Sequence, residues 1–194
     1  YDVTEGQVLV DGVDVRDYDL KVLRDKIGFV PQKAVLFAGT IGSNIEFGDR
    51  NTSEDRVVEA VKIAQSYDFV MKKDEGFNSP IAQGGTNVSG GQRQRLAIAR
   101  AIVRKPEIYV FDDSFSALDF KTDKALRAAL SKETDNATVV IVAQRISTIM
   151  EADRIIVIEK GEVVGIGKHD ELVKNCEVYN EIVRSQMSEE EMKQ

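Results

Sequence analysis

Apolar residues along the chain form two kinds of pattern, short runs of strand length and longer stretches with helical spacing. The short runs cover residues 7–10, 27–30, 108–111, 138–142, 154–158 and 162–166, where we predict strands. Apolar positions recur three and four residues apart in 20–26, 57–64, 91–104, 121–133 and 170–186, where we predict helices. Strands that alternate with helices predict an α/β fold, with a parallel sheet covered by helices on both faces.

Two connections carry local signals of their own. Asp11 and Gly12 separate two short apolar runs, and this dipeptide strongly favours a two-residue hairpin turn. Residues 78–91 are rich in Gly, Ser, Asn and Pro, which predicts a loop that leads into the helix at 91–104. The sequence therefore places glycines where a loop becomes a helix.

Composition narrows the classes of protein and site. The 194 residues suit one domain, or one domain with a small inserted lobe. The chain has 26 Lys+Arg against 33 Asp+Glu, and its net charge of −7 argues against a nucleic-acid partner. A single cysteine, Cys176, excludes an internal disulfide framework, and a single histidine, His169, argues against a His-centred metal cluster. We expect His169 to be a surface residue.

Two carboxylates follow the apolar run at 108–111. Asp112 and Asp113 are predicted to lie at the carboxyl end of a central strand, the edge where open α/β sheets bind ligands. A strand that ends in two acidic residues before a turn is also common without any ligand. This motif alone leaves both interpretations open.

The loop–helix junction points to phosphate binding. Ser89, Gly90, Gly91 and Gln92 stand at the predicted start of the helix, where backbone N–H groups and the positive end of the helix dipole attract anions. The glycines allow close approach of the anion, and the Ser89 hydroxyl adds a neutral donor. A glycine-rich cap without a ligand is the plainer alternative for this segment taken alone.

Taken together, these segments resemble the nucleotide-binding domain of ATP-binding cassette (ABC) transporters. Residues 88–92 are similar to the family signature, Asp112 to the Walker B carboxylate, Asp119 to the D-loop aspartate and Gln32 to the Q-loop glutamine. The resemblance implies ATP and Mg²⁺ as cofactors, with Gln32 and Asp112 directed at the metal. The nucleotide-binding residues that it implies are Gln32, Ser89, Gly90, Gly91, Gln92, Asp112 and Asp119.

The resemblance also implies the P-loop NTPase (ABC ATPase) fold, with a mostly parallel sheet and a helical subdomain. We expect one truncated domain over 1–194: a core part at 1–32, the helical subdomain at 33–104, the remaining core and C-terminal helices at 105–187, and a tail at 188–194. The phosphate-loop pattern G-x-x-x-x-G-K-[ST] occurs nowhere. We therefore expect the N-terminal strands and the P-loop helix to be missing, which would leave an unpaired sheet edge and an exposed apolar surface.

Two substitutions at the expected catalytic positions refine the resemblance. Asp113 stands where the family usually has the glutamate that orients the attacking water, and Gln144 stands where it usually has the switch histidine. We take Asp113 and Gln144 as the catalytic candidates. Asp is one methylene shorter than Glu, and a Gln amide carries no proton at neutral pH. This pattern resembles the degenerate-site subunit of heterodimeric bacterial ABC exporters.

That resemblance implies partners and a location. The chain would bind ATP together with a second ABC subunit, would be joined to a transmembrane domain of the same parent chain, and would lie on the cytoplasmic face of the bacterial plasma membrane. A non-catalytic module that only completes a partner's ATP site is the main alternative. A soluble ABC ATPase of DNA repair or translation is disfavoured, because no coiled-coil or zinc insertion interrupts the sequence.

Overall fold

The computed structural model describes residues 3–186, which form two compact units, 3–142 and 143–186. The elements of the first unit are β1 (Leu9–Val10), β2 (Val13–Asp14), α1 (Leu20–Lys26), β3 (Ile27–Val30), β4 (Gly39–Thr40), α2 (Ile41–Glu46), α3 (Glu54–Ile63), α4 (Tyr67–Met71), β5 (Pro80–Ile81), α5 (Gly90–Ile102), β6 (Ile108–Asp112), α6 (Phe120–Glu133) and β7 (Thr138–Val142). Those of the second are α7 (Ile146–Ile149), β8 (Ile155–Glu159), β9 (Glu162–Gly167), α8 (His169–Asn175) and α9 (Glu177–Gln186). The tail predicted at 188–194 lies outside the described residues.

Local turn and cap chemistry sets the first elements. Asp11 and Gly12 have φ of 50° and 78° between β1 and β2, so the predicted hairpin is confirmed. The carboxylate of Asp19 then accepts hydrogen bonds from the backbone N–H groups of Lys21 and Val22, which caps α1.

A three-stranded sheet in the order β3–β6–β7 forms the centre of the first unit, and both pairs of strands are parallel, as predicted. Tyr109 and Phe111 of β6 point to one face and are buried. On the other face Phe29, Val140 and Val142 are 56%, 45% and 53% exposed. The prediction that helices cover both faces is therefore wrong for residues 3–142, whereas the expectation of an exposed apolar surface is confirmed.

The buried face of the sheet is covered by α5, whose apolar side chains also pack against α2 and α3. Arg56 connects α3 to the end of α5, because its guanidinium donates to the backbone carbonyls of Ile102 and Val103. The same guanidinium donates to the carboxylate of Glu133 in α6, and both side chains are nearly buried.

In the second unit the antiparallel strands β8 and β9 form a hairpin that packs on α8 and α9. The single helix predicted over 170–186 is two helices, because the chain turns at the buried residue Cys176. His169 is partly buried rather than fully exposed, and its Nδ1 lies 2.9 Å from the Tyr179 hydroxyl. None of the helices within residues 3–186 has the length and apolar character needed to cross a membrane.

Candidate functional site

The start of α5 is held by a reciprocal pair of hydrogen bonds. The Ser89 hydroxyl accepts from the backbone N–H of Gln92 at 3.2 Å, and the Gln92 side-chain oxygen accepts from the backbone N–H of Ser89 at 3.1 Å. This capping box fixes the first turn while Ser89 and Gly90 stay exposed to solvent. The first backbone N–H groups of α5 therefore lie at the surface in a rigid turn.

The two glycines of this turn do different things. A Cβ added at Gly90 would meet no heavy atom within 4 Å, so Gly90 leaves open space in front of the helix. A Cβ added at Gly91 would lie 3.2 Å from the carbonyl oxygen of Ala117. Gly91 therefore allows the segment that follows β6 to pack closely against the start of α5. An anion that enters the space beside Gly90 would meet the positive end of a 13-residue helix.

Asp112 and Asp113 lie where β6 ends, as the sequence predicts. Asp113 has a φ of 44°, a left-handed conformation that Asp tolerates better than most residues, and its backbone N–H donates to the carbonyl of Val142. The Gln32 side-chain amide donates to the Asp113 carboxylate at 3.2 Å, although the two residues are 81 positions apart in the sequence. The structure thus brings the Gln32 and Asp113 side chains together.

The two predicted metal ligands have suitable chemistry for Mg²⁺. Asp112 offers a partly exposed carboxylate on the same sheet face as Phe29 and Val140. Gln32 uses its amide nitrogen on Asp113 and keeps its amide oxygen for another partner. Mg²⁺ usually takes one or two protein oxygens and completes its shell with water and phosphate, so these residues fit it. Among residues 3–186 no group of three His, Cys, Asp or Glu side chains could hold a metal alone.

Asp119 has a structural task in this chain. Its carboxylate accepts from both the backbone N–H and the hydroxyl of Thr122, at 3.0 and 2.7 Å, and so caps α6. These two hydrogen bonds hold the pKa of Asp119 below its usual range, and the bond from the backbone N–H has the larger effect. Binding of nucleotide by Asp119 stays a prediction.

Gln144 belongs to the second unit and is exposed there. Its backbone carbonyl accepts from the Gln186 side-chain amide at 2.7 Å, and the Gln186 amide oxygen accepts from the backbone N–H of Ile146 at 2.9 Å. Gln186 therefore holds the backbone on both sides of residue 145. The catalytic role of Gln144 also stays a prediction.

Sequence reasoning missed two buried polar residues next to the site. Ser114 is fully buried and its hydroxyl donates to the carbonyl of Val30 at 3.0 Å. Gln94 is 4% exposed and its side-chain amide donates to the carbonyl of Pro31 at 3.3 Å. Gln94 lies between Val88 and Leu96, on a helix whose other buried residues are apolar. A polar residue at such a position was the signal that could have identified Gln94.

The sequence matches one protein family. Residues 1–116 match the family described as ABC transporter. An uncharacterised ABC transporter ATP-binding protein of Mycobacterium tuberculosis is 48% identical over 189 residues, which are 96% of this chain and 32% of that protein. An ATP-dependent lipid A-core flippase of Syntrophus aciditrophicus is 39% identical over 99% of this chain and 32% of its own length. The chain thus spans about a third of the length of these relatives.

The fold also matches a solved structure. A bacterial Atm1-family ABC exporter with ATP bound superposes with a TM-score of 0.94 at 36% identity, over 97% of this chain and 33% of that one.

Proposed function

The chain belongs to the ABC transporter family and has the P-loop NTPase fold of ABC ATPases, and from this premise we propose that it is the nucleotide-binding domain of an exporter. It binds and hydrolyses ATP at an interface with a second ABC subunit, and this drives export of a substrate through transmembrane domains of the same parent protein. The domain then lies on the cytoplasmic face of the membrane. In a bacterium this is the plasma membrane.

The observation that carries this proposal is the start of α5. Its first turn is rigid, exposed and free of side-chain bulk at Gly90, so its N–H groups can meet a phosphate. In this proposal the Ser89–Gln92 turn acts on a nucleotide whose phosphates are also held by a second subunit.

We infer that the phosphate-binding loop for this chain's own site comes from a preceding part of a longer protein. Phe29, Val140 and Val142 expose apolar side chains on the sheet face that also carries Asp112. An apolar face of this kind is typical of a surface on which another element packs. The chain covers only 32% of its relative from Mycobacterium tuberculosis, which leaves ample length for such an element.

The chain's own site is the weaker one in this proposal. Asp113 is one methylene short of the usual glutamate, and its carboxylate is already hydrogen-bonded by Gln32. Bound Mg²⁺ would neutralise charge on the transferring phosphoryl group, and Asp112 and Gln32 supply the protein oxygens for it. Asp113 then positions water poorly, because a displacement of about 1 Å can lower a rate on the order of 10²-fold. Most hydrolysis takes place in the other site, which uses Ser89–Gln92.

The test measures ATP turnover by the whole exporter, assembled with its partner subunit in lipid. Asp113→Ala and Gln144→Ala should each lower turnover by less than about threefold, because little catalysis remains to be lost. Replacement by Gln of the partner's glutamate that matches Asp113 should lower turnover by about 10²-fold or more, the usual contribution of a positioned acid or base. The matched control is Asp135→Ala, which removes an exposed carboxylate between α6 and β7 and should leave ATP turnover unchanged.

A loss in Asp113→Ala as severe as that in the partner variant would mean that the two sites are equivalent, and our assignment of the weaker site would be wrong. The alternative, a module that only completes the partner's site, is tested by ATP binding to a pair in which the partner's glutamate is replaced. Two nucleotides per pair support our proposal. One nucleotide per pair supports the alternative.

A further inference from the structure

Helix α5, which Ser89 caps, is hydrogen-bonded directly to the residue before Gln32. Gln94, in the second turn of α5, donates its side-chain amide to the carbonyl oxygen of Pro31 at 3.3 Å. Gln94 is 4% exposed, so this bond is shielded from water. The contact crosses 63 positions of sequence and leaves no intervening residue between its acceptor and Gln32.

The neighbours of Pro31 are held from another direction. The buried hydroxyl of Ser114 donates to the carbonyl of Val30 at 3.0 Å, and the Asp113 carboxylate accepts from Gln32. Both of these partners follow β6. The segment from 30 to 32 is therefore anchored on one side by the end of β6 and on the other side by α5, and Gln94 supplies the α5 anchor.

Pro31 makes this anchor stiff. Its ring fixes φ, so a bond to its carbonyl restrains the direction in which the chain enters Gln32. The Gln94 side chain in turn projects from a helix whose first turn is already fixed by the Ser89–Gln92 capping box. One hydrogen bond and one rigid residue therefore connect the start of α5 to the backbone that precedes Gln32.

We propose that Gln94 is a positioning residue that couples the two half-sites of this chain. It holds Gln32, which serves the chain's own nucleotide, in register with Ser89–Gln92, which serves the partner's nucleotide. This role rests on the proposed function. If Gln94 had a purely structural role, in which its amide only fills a buried space, any side chain of the same size and similar polarity would be tolerated.

The first experiment measures the link without ATP. Amide hydrogen exchange is recorded in the whole assembled exporter for residues 28–37, a segment in which β3 pairs with β6 and the backbone N–H of Phe37 donates to Asn44. Gln94→Met keeps the length of the side chain but removes the donor, and it should raise exchange in this segment about fivefold, the factor that one neutral hydrogen bond supplies. Gln94→Glu presents an acceptor to the Pro31 carbonyl and should raise exchange at least as much.

A matched control removes the same kind of bond elsewhere. The Thr134 hydroxyl is buried and donates to the carbonyl of Leu130 in α6 at 2.9 Å. Thr134→Val keeps the side-chain shape and loses this bond, so it should leave exchange at 28–37 unchanged. Unchanged exchange in both Gln94 variants, or an equal rise in Thr134→Val, would overturn the link.

The second experiment is a double-mutant cycle on ATP turnover. Gln94→Met should lower turnover about twofold in the parent exporter, within the threefold limit of the weaker site, and should have no effect when Gln32 is already Ala, since its effect passes through Gln32. Thr134→Val should have the same effect in both backgrounds. Independent effects of Gln94→Met and Gln32→Ala would overturn the positioning role.

The two experiments also separate this inference from the proposed function. Failure of the proposed function would appear as turnover that is insensitive to changes at the partner's glutamate or at Ser89. The exchange measurement does not depend on hydrolysis, and it supports or overturns the Gln94–Pro31 link in either case.

Discussion

Ser89 gives the sharpest test of phosphate binding, because its capping role and its phosphate role can be separated by choice of side chain. Ser89→Thr keeps a hydroxyl that can cap α5. Ser89→Asp also caps well, since Asp is among the preferred residues at this position, but it adds a negative charge. Ser89→Ala removes the cap and adds no charge.

The expected stability effects follow from the two capping hydrogen bonds. Loss of an N-cap side chain costs about 1 kcal/mol, so Ser89→Ala should lower the melting temperature of the domain by about 2–4 °C. Ser89→Thr and Ser89→Asp should leave it within about 1 °C of the parent value, since either side chain can accept from the Gln92 N–H. Differential scanning calorimetry of the assembled exporter measures these shifts.

The expected turnover runs in a different order. Two unit charges about 4 Å apart near a protein surface repel by about 4 kcal/mol, which corresponds to about a thousandfold in rate. Ser89→Asp should therefore nearly abolish ATP turnover at normal stability, whereas Ser89→Thr should keep most of it. Turnover of Ser89→Asp near the parent level, with the protein folded, would refute the idea that a phosphate binds at the start of α5.

Two further predictions concern the body of the first unit. Arg56→Met should lower the free energy of unfolding by about 3–5 kcal/mol in denaturant titrations, because it leaves the nearly buried Glu133 carboxylate unpaired. Adding Glu133→Gln to this variant should recover part of the lost stability. If nothing is recovered, the charge pair is not the cause. Burial raises the pKa of Tyr109 to about 12, so stability should be complete below pH about 10 and should fall by about 3 kcal/mol as the pH rises to about 12; Tyr109→Phe should remove this component, and an unchanged pH profile in that variant would contradict the assignment.

The sequence was most informative where structure is set locally. Helix α1 and strands β3 and β7 begin and end at the predicted residues. For α1 and β3 the reason is local, because Asp19 caps the helix and Pro31 follows the last residue of the strand. The prediction of one continuous helix over 170–186 was wrong, since the chain turns at Cys176 and places that side chain in the core of the second unit. No local propensity marks such a break, because tertiary packing causes it.

The candidate site divides in the same way. The Ser89–Gln92 turn could be predicted as the start of a helix, because the cap and the glycines are adjacent in sequence; phosphate binding there stays a prediction. The contact of Gln32 with Asp113 spans 81 positions, and that of Gln94 with Pro31 spans 63. Hydrophobic periodicity fixes which residues share a face, but it does not fix which side chains from distant elements meet at a strand end.

The backbone at Asp113 bears on why an aspartate occupies this position. A left-handed φ of 44° is tolerated by Asp and Asn because their short polar side chains can bond locally, whereas it costs most other residues roughly 1–2 kcal/mol. Asp113 also fits the distance to the Gln32 amide. Local structure therefore favours Asp here whether or not the site hydrolyses ATP. The comparison of Asp113→Ala with the partner variant measures where hydrolysis takes place, and it therefore decides whether this site is the weaker one.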